Sequence, residues 1–195
     1  MSRRHLFALF SLGLSLSCSL PPTPPHDAMV TESVATPPAA PSAADEIEAL
    51  LSRHMTGLAG FEVRRTAEAI VAEAARNRVE PRLVLAVMNT ESGYYNFARS
   101  PVGALGLMQI MPATGEMLAR EAGVDWRGPD DLFAPELNVR LGVRYLALLH
   151  ARYGSWQRAL AAYNWGPAAI DRRLADGDGV PELYVQQVYS RLARQ

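Results

Sequence analysis

Prolines at the head of helix-spaced apolar runs constrain this chain more than any other feature. Pro81, Pro112, Pro135, Pro167 and Pro181 each stand before or at the start of such a run. Proline is tolerated in a helix only in its first turn, so each marks a helix start. Behind them, Val84, Val87 and Met88, then Met117 and Leu118, then Leu137, Leu141, Tyr145, Leu148 and Leu149, then Tyr184, Val188 and Leu192 follow helical spacing. Upstream, Ile47, Leu50, Leu51, Met55 and Leu58 keep the same period, as do Val63, Ala67, Ile70, Val71 and Ala74. Ser155 suits the cap of a further helix carrying Trp156, Leu160 and Tyr163, and Gly93, Gly123 and Gly154 suit helix ends. No segment shows a clear strand period. The reading is a mainly α single domain over residues 45–195, without internal repeats.

One connection in this pattern is too long for a joint. Residues 93–111 link two predicted helices, whereas such links usually take about 2–8 residues. Gly93, Gly103 and Gly106 allow sharp turns there, and Leu107, Met108 and Ile110 offer apolar anchors. The loop follows Glu91 directly. A helix over the preceding residues puts Glu91 on the face of Val84, Val87 and Met88, so the carboxyl is expected to be partly buried. Burial and the negative end of a helix both favour the protonated form. A general acid working near neutral pH needs such a carboxyl.

Composition excludes several other classes. All nineteen basic residues are Arg, the formal charge is −1 and no basic run stands out, so nucleic-acid binding has no electrostatic support. His5, His26, His54 and His150 are isolated, and none pairs with a Cys or another His as metal ligands. Neither a metal nor a cofactor is expected. Residues 1–18 read as a signal peptide, with Arg3 and Arg4 ahead of an apolar stretch from Leu6 to Ser17 that is shorter than the roughly twenty residues of a membrane span. The lone cysteine, Cys18, follows it directly in a context resembling a bacterial lipobox, so lipidation there and membrane attachment are expected. The alternative is an ordinary leader with an incidental cysteine. Seven prolines among residues 19–44 make that stretch a tether, spanning roughly 30 Å as a coil and up to about 80 Å if fully extended as polyproline.

The motifs around Glu91 resemble a known family. Glu91-Ser92, then Ser100, then Gly103-Ala104-x-Gly106-Leu107-Met108-Gln109-Ile110-Met111-Pro112, then Ala162-Tyr163-Asn164, then Tyr184-Val185, are similar in kind and order to the lytic transglycosylases of the soluble, goose-lysozyme-like class, family 23 of the glycoside hydrolases. The resemblance covers about residues 65–190. It implies a lysozyme-like fold (α+β in the broad sense) with a long active-site loop, and cleavage of the β-1,4 bond between N-acetylmuramic acid and N-acetylglucosamine in peptidoglycan. The product then ends in a 1,6-anhydro ring. Carried over, Glu91 is acid and then base, Ser100 orients it, and Tyr184 brings a hydroxyl near it from the last helix. Met108, Gln109 and Asn164 contact sugar, Tyr163 supports that subsite, and Ser92 is structural. No acidic residue lies between Glu91 and Glu116, which is consistent with a one-carboxylate scheme.

Each carried-over residue also has a plainer reading. Ser100 suits a turn hydroxyl, Gln109 a residue satisfying loop backbone, Met108 core filler, Asn164 a helix cap and Tyr184 a buried aromatic. Two departures stand out. Trp165 follows Asn164 where the family often has a small residue. The lead into Tyr184-Val185 is short, which leaves Tyr189 as the alternative partner of Glu91. The implied partner is peptidoglycan glycan in the bacterial envelope, at the periplasmic face of the outer membrane if Cys18 is lipidated, with the protein a monomer. A hydrolytic muramidase on the same scaffold, and a non-catalytic wall-binding or secretion-assembly module, are the alternative functions.

Overall fold

The computed structural model describes residues 40–195; the expected leader, Cys18 and nearly all of the tether lie outside the described residues. The described residues form α1 (Ala43–Leu51), α2 (Gly60–Asn77), α3 (Pro81–Ser92), α4 (Pro112–Glu121), α5 (Pro135–Tyr153), α6 (Trp156–Trp165), α7 (Pro167–Ala175) and α8 (Glu182–Leu192). A 3₁₀ turn, Pro129–Phe133, precedes α5. Proline opens α3, α4, α5 and α7, as the sequence suggested, while Pro181 is the capping residue just ahead of α8. The mainly α expectation holds. The sole β pairing among the described residues is two isolated antiparallel bridges, Arg99 with Leu105 and Leu105 with Ile110, both inside the long loop.

Two helix boundaries differ from the periodic reading. The first helix starts earlier, because Ser42 and Asp45 close a capping box: the Asp45 N–H donates to Ser42 Oγ at 3.2 Å and the Ser42 N–H to the Asp45 carboxylate at 2.7 Å. It also ends at Leu51 instead of running on through Met55 and Leu58. There the His54 ring nitrogen Nδ1 lies 2.9 Å from the Leu50 carbonyl, and the ring meets Tyr94 edge-on at 4.7 Å. Met55 consequently points to solvent.

The core surrounds α3. Leu83 through Met88 are all buried, so this helix is apolar on every side over that stretch and packs between α2 and α8. Long α5 packs against α2, α4 and α6, and α6 in turn meets α7 and α8. Gly93 caps α3 in the left-handed region at φ 60°, and Tyr94 continues there at φ 70°. That conformation is unfavourable for a bulky residue. Burial of the Tyr94 ring holds it, together with the Asn96 N–H donating to the Thr56 carbonyl at 2.8 Å. Leu105, Leu107, Met108 and Ile110 then plug the rest of the loop into the core.

Candidate active site

The last turn of α3 lifts Glu91 out of the core just where the long loop departs. Burial disfavours its charged form and raises the carboxyl from 4.5 to about 7, against a smaller downward pull from a Tyr184 hydrogen bond. Desolvation therefore dominates. The Tyr184 hydroxyl, from α8, donates to Glu91 Oε1 at 2.5 Å. Burial and the neighbouring carboxylate push the Tyr184 hydroxyl well above its ordinary value, so it keeps its proton and acts as a donor. Tyr184 thus occupies the position beside Glu91, and Tyr189 stays near the surface. Among the described residues Oε2 of Glu91 takes no hydrogen bond, and no second carboxylate contributes to the shift of Glu91.

The loop is held by three side chains that meet at one turn. The peptide joining Leu107 to Met108 is gripped at both edges: its carbonyl accepts from Ser92 Oγ at 2.7 Å, and its N–H donates to Asn138 Oδ1 at 2.8 Å. Asn138, fully buried in α5, also donates through Nδ2 to the carbonyls of Leu105 at 3.0 Å and Leu132 at 2.9 Å. The Met108 carbonyl accepts from the Tyr163 hydroxyl at 2.8 Å. Ser92 is structural, as expected. Asn138 is the residue that sequence reasoning missed. Its signal was a polar amide one turn before Leu141 on the apolar face of α5. Gly106 must lack a side chain here, since a Cβ would collide with Asn138 and with the Leu132 carbonyl, and its φ is 80°.

Several expected sugar contacts are placed differently. Met108 is fully buried against Gly142, so its side chain is core beneath the site and offers no surface to a ligand. Gln109 spends its amide protons on the loop, donating to the Ala98 carbonyl at 3.0 Å and the Gly106 carbonyl at 2.9 Å. Only its Oε1 is left for another partner. Those two bonds also hold Gln109 in the left-handed region at φ 49°. Ser100 Oγ accepts from the Ala104 N–H at 2.9 Å and forms no hydrogen bond with Glu91. Its geometry is that of a turn hydroxyl. Tyr163, with its hydroxyl tied to Met108 and its ring 5.4 Å from that of Tyr145, is a packed support close enough to Glu91 to feel its charge.

Asn164 is exposed and its amide has no protein partner among the described residues, while Gly166 serves as the cap of α6 at φ 80°. With Gln109, Met111, Tyr163 and Trp165, Asn164 lines an open cleft between the loop and the α6–α7 junction. No group of three or more metal-ligating side chains lies together among the described residues. Glu91 thus offers a carboxyl that burial keeps protonated up to about pH 7, with one free oxygen and a Tyr184 hydroxyl donor, and Tyr163, which feels the Glu91 charge, lines the neighbouring cleft. That set can protonate a leaving oxygen and take the proton back.

Comparison with known proteins points the same way. The family described as "Transglycosylase SLT domain" matches residues 68–180, more than half of the chain. The soluble lytic murein transglycosylase of Salmonella typhimurium is 38% identical over 97 residues, which is 49% of this chain and 15% of that protein. The membrane-bound lytic murein transglycosylase C of Edwardsiella ictaluri is 35% identical over 136 residues, covering 65% of this chain and 36% of that protein. The chain thus spans a small part of the length of the relatives it matches. Among solved structures, an inactive mutant of the lytic transglycosylase Slt from Pseudomonas aeruginosa superposes with a TM-score of 0.57 at 31% identity, covering 64% of this chain and 23% of that one. The 70 kDa soluble lytic transglycosylase of Escherichia coli shares the fold, with a TM-score of 0.56 at 22% identity over 78% of this chain and 28% of that one.

Proposed function

This chain belongs to the Transglycosylase SLT domain family, and we propose that it cleaves the β-1,4 bond between N-acetylmuramic acid and N-acetylglucosamine in peptidoglycan, leaving a 1,6-anhydro end. The observation that carries this reading is Glu91, held protonated to about pH 7 with Tyr184 on one oxygen and the other free. Because Oε1 accepts from Tyr184, the acid proton resides on Oε2. It passes to the glycosidic oxygen as the bond from C1 to that oxygen breaks. The substrate's own N-acetyl carbonyl stabilises C1 in the absence of a second carboxylate. Glu91, now a carboxylate, takes the proton of the C6 hydroxyl as that oxygen bonds to C1. The carboxyl is thereby regenerated in its protonated form, and no water is consumed.

Tyr184 is the positioning group in this scheme. Asn164 and the Gln109 carbonyl oxygen supply polar contacts to the acetamido groups and hydroxyls of the glycan, with Tyr163 supporting the wall from behind. Ser100 shapes the loop that delivers Gln109. The test is Glu91→Gln, which keeps the shape and removes the acid: solubilisation of purified cell wall should fall at least a hundredfold. A variant that dissolves wall at the parent rate leaves a binding or assembly module as the reading. Location in the bacterial cell envelope follows from the substrate, relatives described as membrane-bound support membrane attachment, and Cys18 is the candidate anchor. Cys18→Ala should release the protein from the membrane fraction, and unchanged fractionation removes the anchor.

A further inference from the structure

Trp165 is a large apolar side chain left 57% exposed where it lines the cleft. An exposed Trp at a concave site is a more pointed observation than a scattered surface Leu. Its position is well defined. It is the last residue of α6, Gly166 turns the chain at φ 80°, and Pro167 starts α7 at once. This glycine–proline elbow fixes where the ring emerges. Met111, also exposed, lines the same cleft, as do Asn164, whose amide has no protein partner among the described residues, and Gln109, with its free oxygen.

Apolar side chains and unsatisfied polar groups lining one cleft suit a ring that is apolar on its faces and polar at its rim. A β-linked pyranose has this form: its substituents point outward, and axial C–H groups cover both faces. Those C–H groups carry partial positive charge and complement the negative π-face of an indole. Bound glycan would also cover the exposed apolar surface of Trp165.

We propose that Trp165 is a sugar-stacking residue of this cleft, with Met111 as a further apolar contact, and that it sets affinity for the glycan strand without taking part in bond cleavage. The inference rests on the glycan-cleaving reading above but fails independently of it.

The experiment uses the Glu91→Gln protein, so that nothing is turned over, and soluble glycan strands stripped of peptide by an amidase. Titration should shift Trp fluorescence to the blue, and the shift should vanish in Glu91→Gln/Trp165→Phe, because Trp126 and Trp156 are only partly exposed and lie outside the cleft. Trp165→Ala should weaken binding roughly tenfold, about what losing half of a Trp contact costs, and Trp165→Phe should restore part of it. In the otherwise unaltered enzyme Trp165→Ala should raise KM with kcat nearly unchanged. Parent-like affinity in Trp165→Ala overturns the proposal, and so does failure of the Glu91→Gln protein to bind peptide-free strands, which would make the peptide stem the occupant. Cell-wall cleavage that survives Glu91→Gln instead overturns the catalytic reading, so the two failures are told apart.

Discussion

Replacing Glu91 by Gln should make the protein more stable, and increasingly so as the pH rises. In the folded protein the Glu91 carboxyl titrates at about 7, against 4.5 for the exposed group. Between those values the folded state holds a proton that the unfolded chain has released, so stability is lost as pH climbs through this window. Below pH 4.5 both states carry the proton and the penalty is absent; above pH 7 it is fully developed. The gap corresponds to about 3 kcal/mol, taking roughly 1.4 kcal/mol for each unit of pKa difference. Glutamine has nearly the same shape and no charge to desolvate, so it escapes the penalty. Thermal unfolding of the two proteins should give similar Tm values near pH 4.5. At pH 8 the variant should melt higher by about 6–12 °C, given about 2–4 °C per kcal/mol for a chain of this size. A Tm difference that stays constant from pH 4.5 to 8 refutes the desolvated-acid reasoning, whatever its size.

Other outcomes follow from the same geometry. The kcat/KM of wall cleavage should fall as pH rises through about 7, because the free enzyme must hold its acid protonated, and an alkaline limb elsewhere would break the link to Glu91. Tyr184→Phe removes the hydrogen bond that favours the carboxylate, so this limb should move upward while activity drops; a downward move contradicts the assignment of Tyr184 as donor. Asn138→Ala takes the side-chain partner from the Leu132 carbonyl and the Met108 N–H, while the Leu105 carbonyl keeps the Ile110 N–H, at a cost of about 2–3 kcal/mol in urea unfolding. Asn138→Asp should not restore stability, since a carboxyl cannot donate twice; recovery to parental stability would show that the clamp is not what the amide provides.

The helical framework was readable because it is written in local chemistry. A proline that cannot donate and a glycine that can turn left-handed mark helix ends wherever they stand, and they did so for α3 and α5. Periodicity failed where tertiary contacts decided the matter. Met55 and Leu58 continue the spacing of α1, yet His54 turns back onto Leu50 and Tyr94 and ends the helix. The five-residue 3₁₀ turn at Pro129–Phe133 is too short to carry a period at all.

Glu91 and Tyr184 could be named from motifs, since their side chains point into the site. Gln109 and Met108 could be named but not placed. Whether an amide proton faces a sugar or the Ala98 carbonyl depends on a fold of the loop that no spacing reveals. Asn138 was the reverse case. It has no motif to announce it, and it became visible only once three backbone groups from two segments were found converging on one side chain.

The central claim is that one carboxyl gives its proton to the leaving oxygen and recovers one from the sugar itself. Mass analysis of the fragments released from purified peptidoglycan tests it most directly. The account predicts fragments ending in 1,6-anhydromuramic acid, each lighter by one water than its hydrolytic counterpart, and none from the Glu91→Gln protein. Fragments with ordinary reducing ends would contradict it, because water would then have taken the place of the C6 hydroxyl.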